Sequence, residues 1–268
     1  MRLDSHTLHQ VAEIAPRVGM THYVGIMEDN ALHLFDRLDG AGVKGIPFHR
    51  LNLTADNPFR DVPVAGYKLH PRQVKLPDGA LFMATPEYLG ATCIRAGREH
   101  RPLLFHTDGD KPNPASVPML AELARAFPDT DIIAGHLGVY TQECFFTQVT
   151  PETWEPLVEP LFRQNFRLLI DVPNLYADTT KFGMDFPWRS ADPMRRFKVF
   201  KKVVQSLPRA EQRALVDKLF VGTDFPNFAD PTGEQNASLR GTDYVVNSHL
   251  GFQYQCMHEA FGDLFDED

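Results

Sequence analysis

Eight short apolar segments, most of them followed by an amphipathic helical stretch, restrict what this chain of 268 residues can fold into more than any other feature. The segments are Arg2–His6, His22–Met27, Lys44–Arg50, Val64–His70, Pro102–His106, Asp131–His136, part of Arg167–Asp178, and Leu219–Asp224. Helical spacing is best developed at Pro86–Glu99, where Thr85 can cap and Pro86 suits the first turn, and at Ala115–Phe127, Pro151–Phe162, Met194–Leu207 and Glu211–Lys218. Such alternation is the pattern of a parallel α/β fold. Eight strands in about 250 residues suit a TIM (β/α)8 barrel, here as a single domain over residues 1–268. The link between the third and fourth segments is too short for a full helix, so a distorted barrel is expected, with an open doubly wound sheet as the alternative.

Composition narrows the function. Hydrophobic residues at 43% and charged residues at 23% allow a sizeable core and argue against disorder. Lys and Arg number 27 against 35 Asp and Glu, a net charge of −8, and no basic run is interleaved with aromatics, which excludes nucleic acid as an expected partner. Met1–Gln10 is polar, and no apolar run approaches the ~18 residues of a membrane span, so a cytoplasmic location without membrane partners is expected. Cys93, Cys144 and Cys256 are far apart and form no CxxC pair, which reads as reduced, buried thiols.

Several strand candidates end in a metal-ligand residue type: His6, His106, His136 and Asp224. In a parallel barrel the carboxyl ends of the strands meet at one mouth, so these residues, remote in sequence, would converge on a single site. Lys68 and His70 are two apart on one candidate strand and share a face, which suits them to holding an anionic substrate. Arg50, closing the third segment, and Arg72, just past the fourth, are further candidates for bidentate binding of a carboxylate. Asp171, Asn174 and Asp178 lie around the seventh segment and read as structural or capping groups. The aromatic residues Tyr140, Phe145, Phe146, Phe182, Phe186 and Trp188 fall in loops that could wall a pocket.

The runs Gly66-Tyr67-Lys68-Leu69-His70-Pro71, Pro102 to Thr107, Ile132 to Gly138, Asn174 to Thr179 and Gly222-Thr223-Asp224-Phe225-Pro226 occur in an order that resembles the amidohydrolase-related family. That family includes metal-dependent hydrolases, aminocarboxymuconate-type decarboxylases and pyrone dicarboxylate lactonases. The resemblance implies that His106 and Asp224 bind a divalent metal, zinc first and manganese second, and that His136 stands beside it as a catalytic or orienting imidazole. It also implies that Asp224 accepts a proton from a metal-activated water. The sequence departs from the family's Asp-x-His-x-His opening, reading Asp4-Ser5-His6-Thr7-Leu8-His9, so Leu8 replaces one ligand. His6, His106 and Asp224 remain as three ligands, with His9 or Asp4 as a fourth.

The expected activity is metal-dependent hydrolysis of an amide, lactone or related carbonyl bond in a small anionic molecule. Non-oxidative decarboxylation on the same site, or a degenerate barrel that only binds, are the alternatives. The helical spacing between Asp243 and Phe265 could pack on the barrel or support a homo-oligomer.

Overall fold

Parallel pairing runs through the sheet without a break in order. In the computed structural model the described residues are 22–27, 39–53, 63–71, 82–107, 115–138, 151–179, 195–221 and 256–265. They supply seven strands: β1 (His22–Met27), β2 (Lys44–Arg50), β3 (Gly66–Leu69), β4 (Leu103–Phe105), β5 (Ile132–Ala134), β6 (Leu175–Asp178) and β7 (Leu219–Phe220). Each is hydrogen-bonded to the next, in the order β1-β2-β3-β4-β5-β6-β7, and every pair is parallel. A doubly wound sheet needs a point at which the strand order reverses. The described strands have none, so the alternative is excluded and the architecture is that of a TIM barrel. The expected first strand, Arg2–His6, lies outside the described residues.

Among the described residues the strands are accompanied by α1 (Pro86–Arg98), α2 (Val117–Ala126), α3 (Pro151–Asp171), α4 (Arg195–Ser206), α5 (Arg209–Val216) and a short helical stretch over 256–261. Pro86 opens α1 as expected, but Thr85 at its N-cap makes no side-chain cap bond, and its buried hydroxyl finds no partner among the described residues. At α2 it is Ser116 that caps, accepting from the Met119 backbone N–H. Helix α3 runs nine residues beyond its expected end at Phe162, and of the stretch Arg167–Asp178, expected to be strand in part, Leu175–Asp178 is the strand. The buried face of α3 explains the extension: Val158, Phe162, Phe166 and Leu169 recur at helical spacing and are at most 1% exposed. Pro156 and Pro160, inside the same helix, sit on its exposed side, where the carbonyls they leave unpaired can be hydrated.

Strand alternation separates two faces. Tyr67 and Leu69 of β3, Leu103 and Phe105 of β4, Ile132 and Ala134 of β5, and Leu175 and Ala177 of β6 are all 0% exposed. Tyr67 reaches the helix layer, where its hydroxyl bonds to Glu99 just past α1 and accepts from Arg101 at 2.7 Å. Lys68 and His70 therefore belong to the opposite, inner face. On the outside, Phe162 and Phe166 of α3 meet Phe200 of α4 at centroid distances of 5.8 and 5.5 Å. Phe261, in a helical stretch over 256–261, adds a further contact to Phe200 at 6.1 Å. The described part of the C-terminal segment thus packs on the barrel's own helices. Among the described residues no helix is long and apolar enough to cross a membrane.

Candidate functional site

Strand register delivers the candidate residues to one level. Leu69 is paired with Phe105, Phe105 with Ala134, and Ala134 with Ala177. The residues that follow, His70, His106, Gly135 and Asp178, consequently emerge side by side at the carboxyl edge of β3 to β6, the edge at which barrel enzymes carry their chemistry. One strand earlier, Arg50 is paired with Lys68 and brings its cation to the same edge.

Three imidazoles form the centre. His70 stacks on His106 with centroids 4.0 Å apart and planes 13° from parallel. His106 meets His136 edge-on, and its Nδ1 lies 3.1 Å from His136 Nε2, a hydrogen bond that one proton can occupy from either side. His136 is only 5% exposed and Lys68 9%. Burial of His70, reinforced by the nearby His106, Lys68 and Arg50, pushes its pKa down to about 2. His70 is therefore a neutral group, able to offer a hydrogen bond or a stacking face but not a charge, and its buried Nδ1 has no partner among the described residues.

His136 reaches His106 from an unusual backbone. Gly135–Gly138 forms a turn in which His136 (φ 57°), Leu137 (φ 55°) and Gly138 (φ 65°) are all left-handed. Each non-glycine residue held there costs roughly 1–2 kcal/mol. Glycine is required at both ends of the turn: a Cβ on Gly135 would lie 2.7 Å from the Phe105 carbonyl oxygen, and one on Gly138 would lie 2.3 Å from Val117 Cγ2. Side chains from three places hold the turn. Asp178 Oδ1 accepts from the His136 backbone N–H at 2.8 Å, Asn165 Nδ2 donates to the Leu137 carbonyl at 2.9 Å, and the Thr107 hydroxyl donates to the Gly135 carbonyl.

Of the expected site residues, the structure brings together Arg50, Lys68, His70, His106 and His136. His6, His9, Arg72 and Asp224 lie outside the described residues, as do the aromatic residues Tyr140 to Trp188 singled out for a pocket wall. Asn165 and Thr107 are the residues that sequence reasoning missed, while Asp178, read there as a structural or capping group, accepts a backbone N–H at the site. Their bonds go to backbone atoms, and the available signal was the pair of glycines bracketing His136-Leu137, the mark of a tight turn.

Among the described residues no group of three or more His, Cys, Asp or Glu side chains is placed to hold a metal ion. His106 alone of the expected ligands is described. The donor chemistry suits a divalent ion of the zinc type: imidazole nitrogens gathered at the strand ends, one of them, His70 Nδ1, buried without a partner among the described residues.

Comparison with known proteins agrees with this architecture. Among solved structures, an amidohydrolase from Burkholderia multivorans with bound zinc is similar at a TM-score of 0.58 and 10% identity, over 96% of this chain and 85% of that one. The Burkholderia multivorans amidohydrolase with bound HEPES is similar at a TM-score of 0.56 and 10% identity, over 93% of this chain and 87% of that one. At such identity the likeness is one of fold. No curated protein matches the sequence significantly. The family model described as Amidohydrolase matches residues 11–238, most of the sequence and the whole row of strand ends that carries the imidazoles, so the chain belongs to the amidohydrolase family.

Proposed function

We propose that this protein is a metal-dependent hydrolase that opens an amide, lactone or related carbonyl bond of a small anionic molecule. The observation that carries the reading is the partly buried His106–His136 hydrogen bond at the barrel's carboxyl edge, with His70 stacked beside it. His106, His6 and Asp224, with His9 or Asp4 as a fourth donor, would hold the ion. Zinc is the first choice on donor chemistry, and the similar Burkholderia amidohydrolase carries zinc. When bound, such an ion polarises a carbonyl oxygen and makes water nucleophilic near neutral pH.

The chain's own residues supply the rest. Because Nδ1 of His106 faces His136, Nε2 would be its ligating atom, which fixes the His106 proton on Nδ1 and makes His106 the donor to His136 Nε2. His136 is thereby held as a neutral imidazole with its own proton on Nδ1, able to donate a hydrogen bond to the oxygen that gains charge, while the proton passed on to the leaving group is the one Asp224 takes from water. Asp224 takes a proton from the attacking water. Lys68 and Arg50, paired across β2 and β3, provide positive charge for a substrate carboxylate next to the reacting bond, with Arg72 as a further candidate. Neutral His70 closes the side of His106.

The test is a panel of carboxylate-bearing lactones, N-acyl amides and aromatic carboxylic acids, followed by acid release and by carbon dioxide release. Hydrolysis of a lactone or amide, lowered by about 10²–10⁴-fold in His136→Ala, is the expected result. Carbon dioxide release without hydrolysis would replace the hydrolase reading with decarboxylation. A metal-loaded protein inert to the whole panel would favour a barrel that only binds.

A further inference from the structure

The left-handed turn that carries His136 is held from three directions, by groups that are not among the expected metal ligands His6, His9, His106 and Asp224. Asp178 stands at the end of β6, level with Gly135 because Ala134 is paired with Ala177. Its carboxylate accepts the His136 backbone N–H at 2.8 Å. Thr107, 0% exposed after β4, fastens the Gly135 carbonyl of the same peptide, and Asn165, 2% exposed on α3, fastens the Leu137 carbonyl further on. A link between β5 and α3 does not need two successive left-handed non-glycine residues; strain of this kind persists only where the surroundings over-determine it. What the conformation achieves is specific. It turns the His136 ring back across the strand edge until Nε2 meets His106 Nδ1 at 3.1 Å.

We propose that Asp178 is a positioning residue of the site: by clamping the His136 backbone in the left-handed region, with Asn165 and Thr107 as auxiliary clamps, it sets the His136 imidazole against His106. The inference rests on the reading of His106 and His136 as the chemical centre, but its geometry can be tested without a substrate. Asp178 touches the backbone of His136 and acts through that residue.

The test uses the full chain labelled with ¹⁵N-histidine, in which the proton shared by His106 and His136 is observed by NMR. The parent should show an imidazole N–H protected from exchange with water and linked to both rings. Asp178→Ala should lose it, whereas Asp178→Asn, which keeps an acceptor oxygen for the His136 N–H, should retain it. Asn174→Ala is the control for a purely structural loss. Asn174 ties the carbonyls of Ala124, Phe127 and Thr130 and touches no imidazole, so that variant should lower Tm and leave the signal intact. If Asp178→Ala does not fold, Thr107→Val, which preserves shape and removes only the hydroxyl clamp, carries the test with the same expected loss. An unchanged signal in a folded Asp178→Ala or Thr107→Val protein would overturn the proposal, as would an equal loss in Asn174→Ala. A parent that shows the signal yet turns over nothing on the substrate panel would count against the hydrolase reading alone.

Discussion

Lys68 shows how a single residue can be assigned a task and then held to it. It is 9% exposed, stands on the inner face of β3 opposite Arg50, and lies close enough to His70 to help keep that imidazole neutral. Lys68→Met keeps the apolar stem and removes the charge. Steady-state kinetics on a carboxylate-bearing substrate should show KM raised about 10–100-fold with kcat changed far less, the pattern of lost ground-state binding. A fall in kcat alone would assign Lys68 to the chemistry instead. The cysteines give a contrasting case. Burial pushes the thiols of Cys93 and Cys256 up to about 12. Neither forms thiolate at pH 8 in the folded protein, so peptide mass spectrometry should find both unlabelled by maleimide until urea is added. Their folded pKa is raised, so the stability they contribute is intact below about pH 8.5, where unfolded thiols ionise. It is lost as pH rises towards about 12. His106, His136, Lys68 and His70 were legible in the sequence because a residue type with chemistry closes, or nearly closes, an apolar run. Asp178 was legible only as a structural or capping group and Asn165 not at all, because they act on backbone atoms of residues far away in sequence, and only strand register and a helix face reveal those partners.

Elements were legible where a boundary is set locally and less so where packing sets it. β1 and β2 have the expected ends, His22–Met27 and Lys44–Arg50. Helix α3 overran its expected end because Phe166 and Leu169 continue the apolar face begun by Val158 and Phe162, a consequence of burial against α4 that periodicity alone had split between helix and strand. The aromatic cluster that fixes this packing centres on Phe200, 0% exposed and in ring contact with Phe162, Phe166, Phe197 and Phe261. Phe200→Ala should cost about 3–5 kcal/mol in denaturant unfolding, by lost burial plus the cavity left between α3, α4 and the 256–261 stretch. A cost below about 1 kcal/mol would mean that the C-terminal stretch is held by its ion pairs, such as Lys201–Glu259 at 3.0 Å, and not by the rings.

At the scale of the molecule, seven parallel strands in sequential order and one row of side chains at their carboxyl edge explain how residues remote in sequence come together in one imidazole-rich centre. The fold class was readable from alternation alone, and the short third-to-fourth link, which had left an open sheet as an alternative, is answered by the unbroken strand order. The central claim is that His106 belongs to a divalent-metal site whose other donors come from distant strands. Elemental analysis of the purified protein beside His106→Ala tests it most directly. The account predicts about one equivalent of zinc or manganese per chain in the parent and its loss in the variant, with both proteins folded. A parent that remains metal-free after incubation with either ion, or a variant that retains the parent's full content, would contradict it.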